Sequence, residues 1–185
     1  MEFVLPIKDV NHIRKLRTYL KKRSLRDYLL FVFEINTGLR INELLAIKVD
    51  QVWVGEQPRE FLQSIHNKTN RSIYLNSKVR SALNQYMLQA NLSSEDYLFK
   101  TKNGSYPITR QQAYRIINKA TREIGINDRI GTHTLRKTFG YHAYRKGIAI
   151  SIIRDIYGHS STSETFHYIG IDKNEHTSIQ VDVNL

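Results

Sequence analysis

Side chains suited to phosphate chemistry occur at two widely separated places in this chain of 185 residues. The first place holds Arg40, and the second holds His133 and Arg136, followed by His159 and Tyr168. Guanidinium groups neutralise phosphate oxygens through paired hydrogen bonds, and a tyrosine hydroxyl can displace an alkoxide from phosphorus. These residue types together predict attack on a phosphodiester, and DNA is the substrate that they imply.

The spacing of two pairs supports this chemistry but leaves a plainer interpretation open. Glu43 follows Arg40 by three residues, so both lie on one face of a predicted helix, where the carboxylate either holds a functional guanidinium or forms an ordinary surface ion pair. His133 and Arg136 are also three residues apart, near the start of a predicted helix. A helix start is positive and favours an anion.

Three further residues are candidates for the site only because the arginines and His133 are present as well. Lys68 falls in a predicted hairpin turn, where a long cation either reaches a neighbouring groove or is simply solvated. His159 lies between Gly158 and Ser160, a setting that suits a helix cap as well as a proton donor. Tyr168 is one of 11 tyrosines, and most tyrosines are amphipathic packing residues.

Composition favours a polyanionic partner. The chain has 28 lysines and arginines against 17 acidic residues, a net charge of +11 that is spread along its length. Such a field attracts nucleic acid, although anionic membranes attract basic proteins too. With no cysteine, the chain has no disulfide, thiolate nucleophile or cysteine-bound zinc. The seven histidines lack metal-ligand spacing, so we expect no metal site.

No stretch approaches the roughly 20 apolar residues of a membrane span, and the N-terminus lacks the pattern of a signal peptide. We therefore expect a cytoplasmic protein that makes no membrane contact. The length suits one hydrophobic core rather than two full domains. We expect a single domain over residues 1–171 and a polar C-terminal tail over residues 172–185.

Capping residues predict most of the helices. Asp9 and Ser24 are typical N-caps, Gly38 is a typical C-terminal stop, and a short helix is predicted within 39–47. Thr132 is predicted to cap a later helix. The remaining helices are predicted at 77–89, at 109–124 with a capping box of Thr109 and Gln112, at 132–147, at 150–157 and from Ser163.

Strand-type runs occupy the middle of the chain. They cover residues 52–54, 61–65 and 72–75, separated by turn-forming residues. We predict a three-stranded antiparallel meander with Lys68 in its second turn. The fold class is therefore mostly α with a small three-stranded antiparallel sheet (α+β).

Three motifs resemble the tyrosine recombinase (phage integrase) family. They are Thr-Gly-Leu-Arg-Ile-Asn-Glu-Leu-Leu at 37–45, His-Thr-Leu-Arg-Lys-Thr-Phe at 133–139, and Gly-His-Ser-Ser at 158–161 with Tyr168 nine residues after the histidine. Each motif is weak alone, whereas their order, spacing and intervening strands are specific. The resemblance covers residues 25–170.

The resemblance implies the family's catalytic-domain fold and its chemistry, in which DNA strands are broken and rejoined through a covalent 3′-phosphotyrosine. It implies that Tyr168 is the nucleophile and that Arg40 and Arg136 hold the scissile phosphate. Glu43 would support Arg40.

The other roles follow from the same resemblance. Lys68 would be the general acid that protonates the leaving 5′ oxygen, His133 would accept or return the tyrosyl proton, and His159 would bond a phosphate oxygen. The resemblance implies no metal or ATP. The partners implied are double-stranded DNA and further copies of the chain, as a dimer at each site and a tetramer across two, in a bacterial or phage-encoded, nucleoid-associated protein.

The chain departs from the family pattern at three points. About 24 residues precede the first catalytic-type helix, so we expect a minimal member without the core-binding domain rather than an excised catalytic part. Lys137 stands where many members have a second histidine, and we expect it to be tolerated. The tail at 172–185 is expected to dock on a neighbouring subunit.

Three functions fit these observations. The leading one is a site-specific recombinase that integrates, excises or resolves mobile or plasmid DNA. The second is a topoisomerase-like enzyme that nicks, swivels and reseals DNA as a monomer. The third is a DNA-binding accessory protein derived from a recombinase, against which the complete set of seven side chains argues.

Overall fold

A computed structural model describes residues 4–63, 72–102, 104–126, 130, 131 and 133–171. The helices are α1 Val10–Arg23, α2 Leu25–Thr37, α3 Ile41–Leu45, α4 Ser77–Met87, α5 Arg110–Glu123, α6 Thr134–Arg145, α7 Ile150–Tyr157 and α8 Thr162–Ile169, with a 3-10 turn at Val49–Gln51. The strands are β1 Trp53–Val54, β2 Gln57–Pro58, β3 Phe61–Gln63 and β4 Ser72–Tyr74. Among the described helices, none is long and apolar enough to cross a membrane.

Helix α2 forms the centre of the main core. Its residues Leu29 to Phe33 are all buried, because the helix contacts α1, α4, α5 and α6 on different sides. A helix that is apolar all round is typical of such a central position. A second apolar cluster joins α6, α7 and α8 around Ile153, Tyr157 and Ile169. This smaller cluster carries the predicted nucleophile.

The predicted caps form as local hydrogen bonds. Asp27 N donates to Ser24 Oγ at 3.3 Å, and Gly38 ends α2 in the left-handed region with φ of 65°. A Cβ at Gly38 would collide with the Phe139 ring, so this glycine also permits close approach of α6. The predicted capping box at the start of α5 is present as well.

Helices α6 and α8 begin at Thr134 and Thr162. Thr132, the predicted cap of α6, lies outside the described residues, and His133 occupies the N-cap position of α6. Helix α8 begins earlier than predicted, since Ser161 caps it by accepting from Glu164 N at 3.1 Å rather than the helix starting at Ser163. The tail at 172–185 lies outside the described residues.

The described strands form two separate two-stranded antiparallel sheets rather than one three-stranded meander. Strands β3 and β4 pair as predicted, but β1 pairs with β2 in a tight hairpin that the sequence analysis missed. Gly55 closes this hairpin with φ of 57°. Pro58 in β2 has no N–H group, and a proline is confined to strand edges for that reason. The predicted continuation of β3 through Ser64 and Ile65 lies outside the described residues.

Candidate active site

All of the predicted site residues except Lys68 converge where α3, α6, α7 and α8 meet. Lys68 lies outside the described residues. Most of the remaining site residues lie at helix ends. A helix end fixes the backbone of a residue and leaves the tip of its side chain accessible.

Arg40 is anchored by its own turn of helix. Its backbone N donates to Glu43 Oε2 at 2.8 Å, and its Nη1 donates to Glu43 Oε1 at 3.2 Å. The Arg40 side chain remains 55% exposed. The ion pair predicted from spacing therefore forms, and it leaves guanidinium nitrogens able to reach an external anion.

Arg136 is held more deeply, with only 6% of the residue exposed. Its Nη1 donates to the backbone oxygen of Gly38, and its Nη2 donates to the backbone oxygen of Tyr157 at 3.4 Å. Arg40 Nη2 donates to that same Tyr157 oxygen at 3.2 Å. Carbonyls at a helix C-terminus have no partner within the helix and carry partial negative charge. The end of α7 therefore holds both guanidinium groups together.

A cavity of about 280 Å³ opens beside this pair of arginines. Residues of α3 and its approach, β4 and α6 line it, among them Arg40, Tyr74, Arg136 and Phe139. Strand β4 thus borders the arginines, and the segment at 64–71 joins it to β3.

Tyr168, on α8, points its hydroxyl at His133. The distance from Tyr168 Oη to His133 Nδ1 is 3.4 Å, and the His159 ring centre lies 5.0 Å from the Tyr168 ring centre. Burial raises the pKa of Tyr168, with Arg136 acting in the opposite direction. The phenol therefore stays protonated at neutral pH and needs a base before it can attack phosphorus.

His133 meets the electrostatic requirement for that base. Burial, followed by the nearby charges of Arg110, Arg136 and Lys137, lowers the pKa of His133. An imidazole with a lowered pKa is neutral at neutral pH and can accept a proton. The neighbouring cations that hold an anion thus also keep this histidine unprotonated.

His159 has a defined tautomer. Its Nδ1 lies 3.1 Å from Thr165 Oγ1, and that hydroxyl donates its single hydrogen to Ser161 O at 3.1 Å. Thr165 can therefore only accept from His159, which places a hydrogen on Nδ1. Burial mainly lowers the pKa of His159, Glu164 opposes this effect, and Arg136 and Arg40 add to it. Neutral His159 then has no hydrogen on Nε2, so Nε2 donates to an anion only when His159 takes up a second proton.

Tyr157 is a site residue that sequence reasoning missed. Its ring lies 4.5 Å from the Arg136 guanidinium, and its ring centre lies 5.3 Å from that of His159 and 5.2 Å from that of Tyr168. The residue is 1% exposed. No local pattern in the sequence identifies the groups that touch its ring, and most tyrosines are packing residues.

A buried acid lies behind the site. Glu34 of α2 is 2% exposed, and its Oε1 has no hydrogen-bond partner among the described residues. Burial raises the pKa of Glu34 to about 8, while the charge of Arg136 acts in the opposite direction. Glu34 interrupts an otherwise apolar run in α2, and no motif or spacing in the sequence identifies it as part of the site.

Comparison with known proteins identifies relatives along nearly the whole chain. The sequence profile of the phage integrase family matches residues 5–175. A Bacillus subtilis protein named "Probable integrase/recombinase YoeC" is 39% identical over 175 residues, which cover 94% of this chain and 93% of that protein. A tyrosine recombinase of Pseudothermotoga lettingae is 34% identical over 170 residues, covering 92% of this chain and 56% of that protein. The chain thus spans nearly all of the first relative and little more than half of the second.

Solved structures share the fold. The crystal structure of XerA recombinase superposes with a TM-score of 0.75 at 23% identity, covering 94% of this chain and 62% of that one. XerH recombinase bound to a palindromic difH substrate, in a post-cleavage complex, gives a TM-score of 0.71 at 19% identity, covering 93% of this chain and 51% of that one. The predicted fold class is confirmed, and the split into two small sheets does not alter it.

Proposed function

The chain belongs to the phage integrase family, the tyrosine recombinases that break and rejoin DNA at specific sites, and on that basis we propose how its own residues perform the reaction. Tyr168 Oη attacks the scissile phosphorus, forms a 3′-phosphotyrosine and displaces the 5′ oxygen of the next nucleotide. A DNA 5′-hydroxyl then attacks the phosphotyrosine and releases Tyr168. Because the phosphotyrosine conserves the phosphodiester energy, resealing needs no ATP.

The observation that carries this proposal is the Tyr168 hydroxyl 3.4 Å from His133 Nδ1, next to two guanidinium groups that share one carbonyl oxygen. Arg40 and Arg136 bind the non-bridging oxygens and stabilise the charge that develops on the pentacoordinate phosphorus. Glu43 holds Arg40 for this task. The positive charge that bound metal ions supply in other phosphoryl-transfer enzymes comes here from arginine, so the proposal requires no cofactor.

Proton transfers complete the scheme. His133 takes the tyrosyl proton during attack and returns it during resealing. The negative charge of the bound phosphate favours a second proton on His159, which then donates from Nε2 to a phosphate oxygen. Lys68 is proposed to protonate the leaving 5′ oxygen. Support for Lys68 comes from β4, which lines the cavity beside both arginines and is joined to β3 through the segment that contains this lysine.

The substrate proposed is double-stranded DNA of a mobile or plasmid element, with integration, excision or resolution as the outcome. The net charge of +11 supports binding to a polyanion. We propose assembly as a dimer at each site and a tetramer across two sites, with residues 1–171 as the catalytic domain and residues 172–185 docking on a neighbouring subunit. Its place of action is DNA in the cytoplasm of a bacterial cell.

The test is formation of a covalent adduct. The full chain is incubated with supercoiled DNA from its own genetic neighbourhood, denatured with detergent and examined for protein-linked DNA. Tyr168→Phe is compared with Tyr106→Phe, a matched change at a tyrosine that is 79% exposed. Adduct with the wild type and with Tyr106→Phe, but not with Tyr168→Phe, supports the proposal, whereas adduct with Tyr168→Phe refutes the assignment of the nucleophile.

A further inference from the structure

Lys137 is a buried cation beside Tyr168. It follows Arg136 on α6, is 5% exposed, and its Nζ lies 5.0 Å from the centre of the Tyr168 ring. Desolvation makes a buried ammonium unfavourable unless its surroundings compensate. Part of that compensation comes from residues 4–8, here called the N-terminal segment, which lie across α6.

The N-terminal segment is fixed to α6 by three hydrogen bonds. Lys137 Nζ donates to Val4 O at 2.8 Å. Ile7 N donates to Thr138 Oγ1 at 2.9 Å, and His142 Nε2 donates to Ile7 O at 2.9 Å. Two of these bonds use the main chain of Ile7, which is itself buried in the core. The segment is therefore part of the folded unit, and one of its carbonyls directs the Lys137 ammonium.

The same segment reaches the end of the nucleophile helix. Gly170, the C-cap of α8, packs on Pro6 so closely that a Cβ there would lie 3.2 Å from Pro6 Cδ. Gly170 follows Tyr168 by two residues. The N-terminal segment consequently contacts both the lysine that faces the Tyr168 ring and the backbone that carries Tyr168.

We propose that Lys137 is a positioning residue for Tyr168 and that the N-terminal segment holds its ammonium against the Tyr168 ring. The inference rests on the proposed function in taking Tyr168 as the nucleophile. An ammonium on the ring face is attracted to the π-system and restricts how the ring turns. Its positive charge also favours the phenolate over the phenol, which assists attack.

Tyr168 faces other charged or titratable groups as well. They come from α2, the start of α3, α6 with its cap, and α7 with the residues after it: Glu34, Arg40, His133, Arg136, Tyr157 and His159. A substitution of Lys137 leaves these groups in place, so the difference from the wild type reports the contribution of Lys137.

The first experiment measures adduct formation on a nicked duplex that carries the mapped cleavage site, across a range of pH. Lys137→Met removes the charge at similar length, Lys137→Arg keeps it, and Lys146→Met at the exposed end of α6 controls for lost positive charge. We expect Lys137→Met to slow adduct formation by about tenfold or more, with DNA affinity within about twofold of that of Lys146→Met.

The pH profile separates positioning from mere support of the fold. Loss of the cation should move the rise in rate with pH upward by about 0.5 unit or more, because Lys137 lowers the pKa of the base His133 as well as favouring the Tyr168 phenolate. Lys137→Arg should restore the wild-type profile. A Lys137→Met rate within about twofold of Lys146→Met, or a slower rate with an unshifted pH profile, overturns the positioning role.

A second experiment tests the segment without any DNA chemistry. Amide hydrogen exchange is compared among the full chain, a chain lacking residues 1–5, and Thr138→Val, which removes the acceptor for Ile7 N. We expect faster exchange at 162–170 in both variants and unchanged exchange in α4, which reports that the core remains folded. Unchanged exchange at 162–170 refutes the segment's role. If instead the wild type forms no adduct while exchange changes as expected, the proposed function fails and the coupling within the fold stands.

Discussion

Tyr157 and Arg136 hold each other through two separate contacts. The Tyr157 hydroxyl donates to the backbone oxygen of Arg136 at 2.5 Å, while the Arg136 guanidinium lies 4.5 Å from the centre of the Tyr157 ring. The first contact positions the helix backbone, and the second orients the side chain. At Gly140, one turn further along α6, a Cβ would collide with the Tyr157 hydroxyl, so glycine is required for this fit.

Tyr157→Leu should slow adduct formation by about tenfold or more, because it removes the ring surface beneath Arg136 together with the hydroxyl. Tyr157→Phe should retain the ring and lose about 1 kcal/mol of folding free energy with the hydroxyl bond. Single-turnover cleavage and thermal denaturation measure the two effects. Tyr106→Phe, at an exposed tyrosine, serves as the control. Equal cleavage rates for Tyr157→Leu and the wild type would contradict this role.

Glu43→Ala should slow cleavage by about tenfold, because Arg40 loses the carboxylate that holds both its backbone N and its guanidinium. The matched control is Glu95→Ala, which breaks the exposed Lys48–Glu95 ion pair of 3.4 Å. Surface pairs contribute little, so the control should cleave at the wild-type rate. Similar rates for the two variants, measured on the same nicked substrate, would mean that the Arg40–Glu43 pair is only a surface pair.

Thr165→Val should slow cleavage several-fold, because protonated His159 loses the hydroxyl oxygen that accepts from its Nδ1 and orients its ring. The fold provides a matched control in Thr121→Val, since Thr121 is equally buried and its hydroxyl donates to Asn118 O at 2.9 Å away from the site. Both variants should lose similar stability. Measured cleavage should fall only in Thr165→Val; an equal fall in both would assign the effect to the fold.

The lowered pKa of His133 predicts the acidic limb of the cleavage rate. A base must be unprotonated to act, so the rate should persist below pH about 6.5, the ordinary histidine range, and fall only as pH passes the lowered value. Adduct formation measured from neutral to acidic pH tests this. His133→Gln should lose the limb, whereas His12→Gln, at a partly exposed histidine of α1, should keep it. If the rate of His133→Gln still falls at acidic pH as in the wild type, a group other than His133 causes the fall.

Glu34 should make the folded protein less stable as pH rises. Its pKa is raised from 4.5 to about 8 on folding, so the folded state binds the proton more tightly than the unfolded state. Its contribution to stability is therefore complete below pH about 4.5 and is lost as pH rises towards about 8.

Glu34→Gln should flatten this decline, as thermal denaturation midpoints between pH 5 and pH 8 would reveal. The exposed Glu123→Gln provides the comparison, because its side chain is solvated on α5. A decline of the same steepness in Glu34→Gln and the wild type would rule out Glu34 as its source.

Local sequence determined the elements whose hydrogen bonds close within a few residues. The Ser24 and Thr109 caps, the Gly38 stop and the Arg40–Glu43 pair all join groups three or four positions apart, so the chain encodes them without reference to the rest of the fold. The order and spacing of the motifs also carried the family and its fold class. The proposed roles of the site residues, Lys68 among them, stay predictions.

Only the tertiary structure decided which residues far apart in the sequence form hydrogen bonds with each other. Arg40 and Tyr157 are 117 positions apart, and Lys137 and Val4 are 133 apart, yet each pair forms a hydrogen bond. Such contacts form only when the whole core packs, since no periodicity or capping rule relates residues so far apart. The side chains capable of phosphodiester chemistry are therefore readable from the sequence, whereas the shared carbonyl, the Tyr157 ring and the N-terminal segment that position them are properties of the folded molecule.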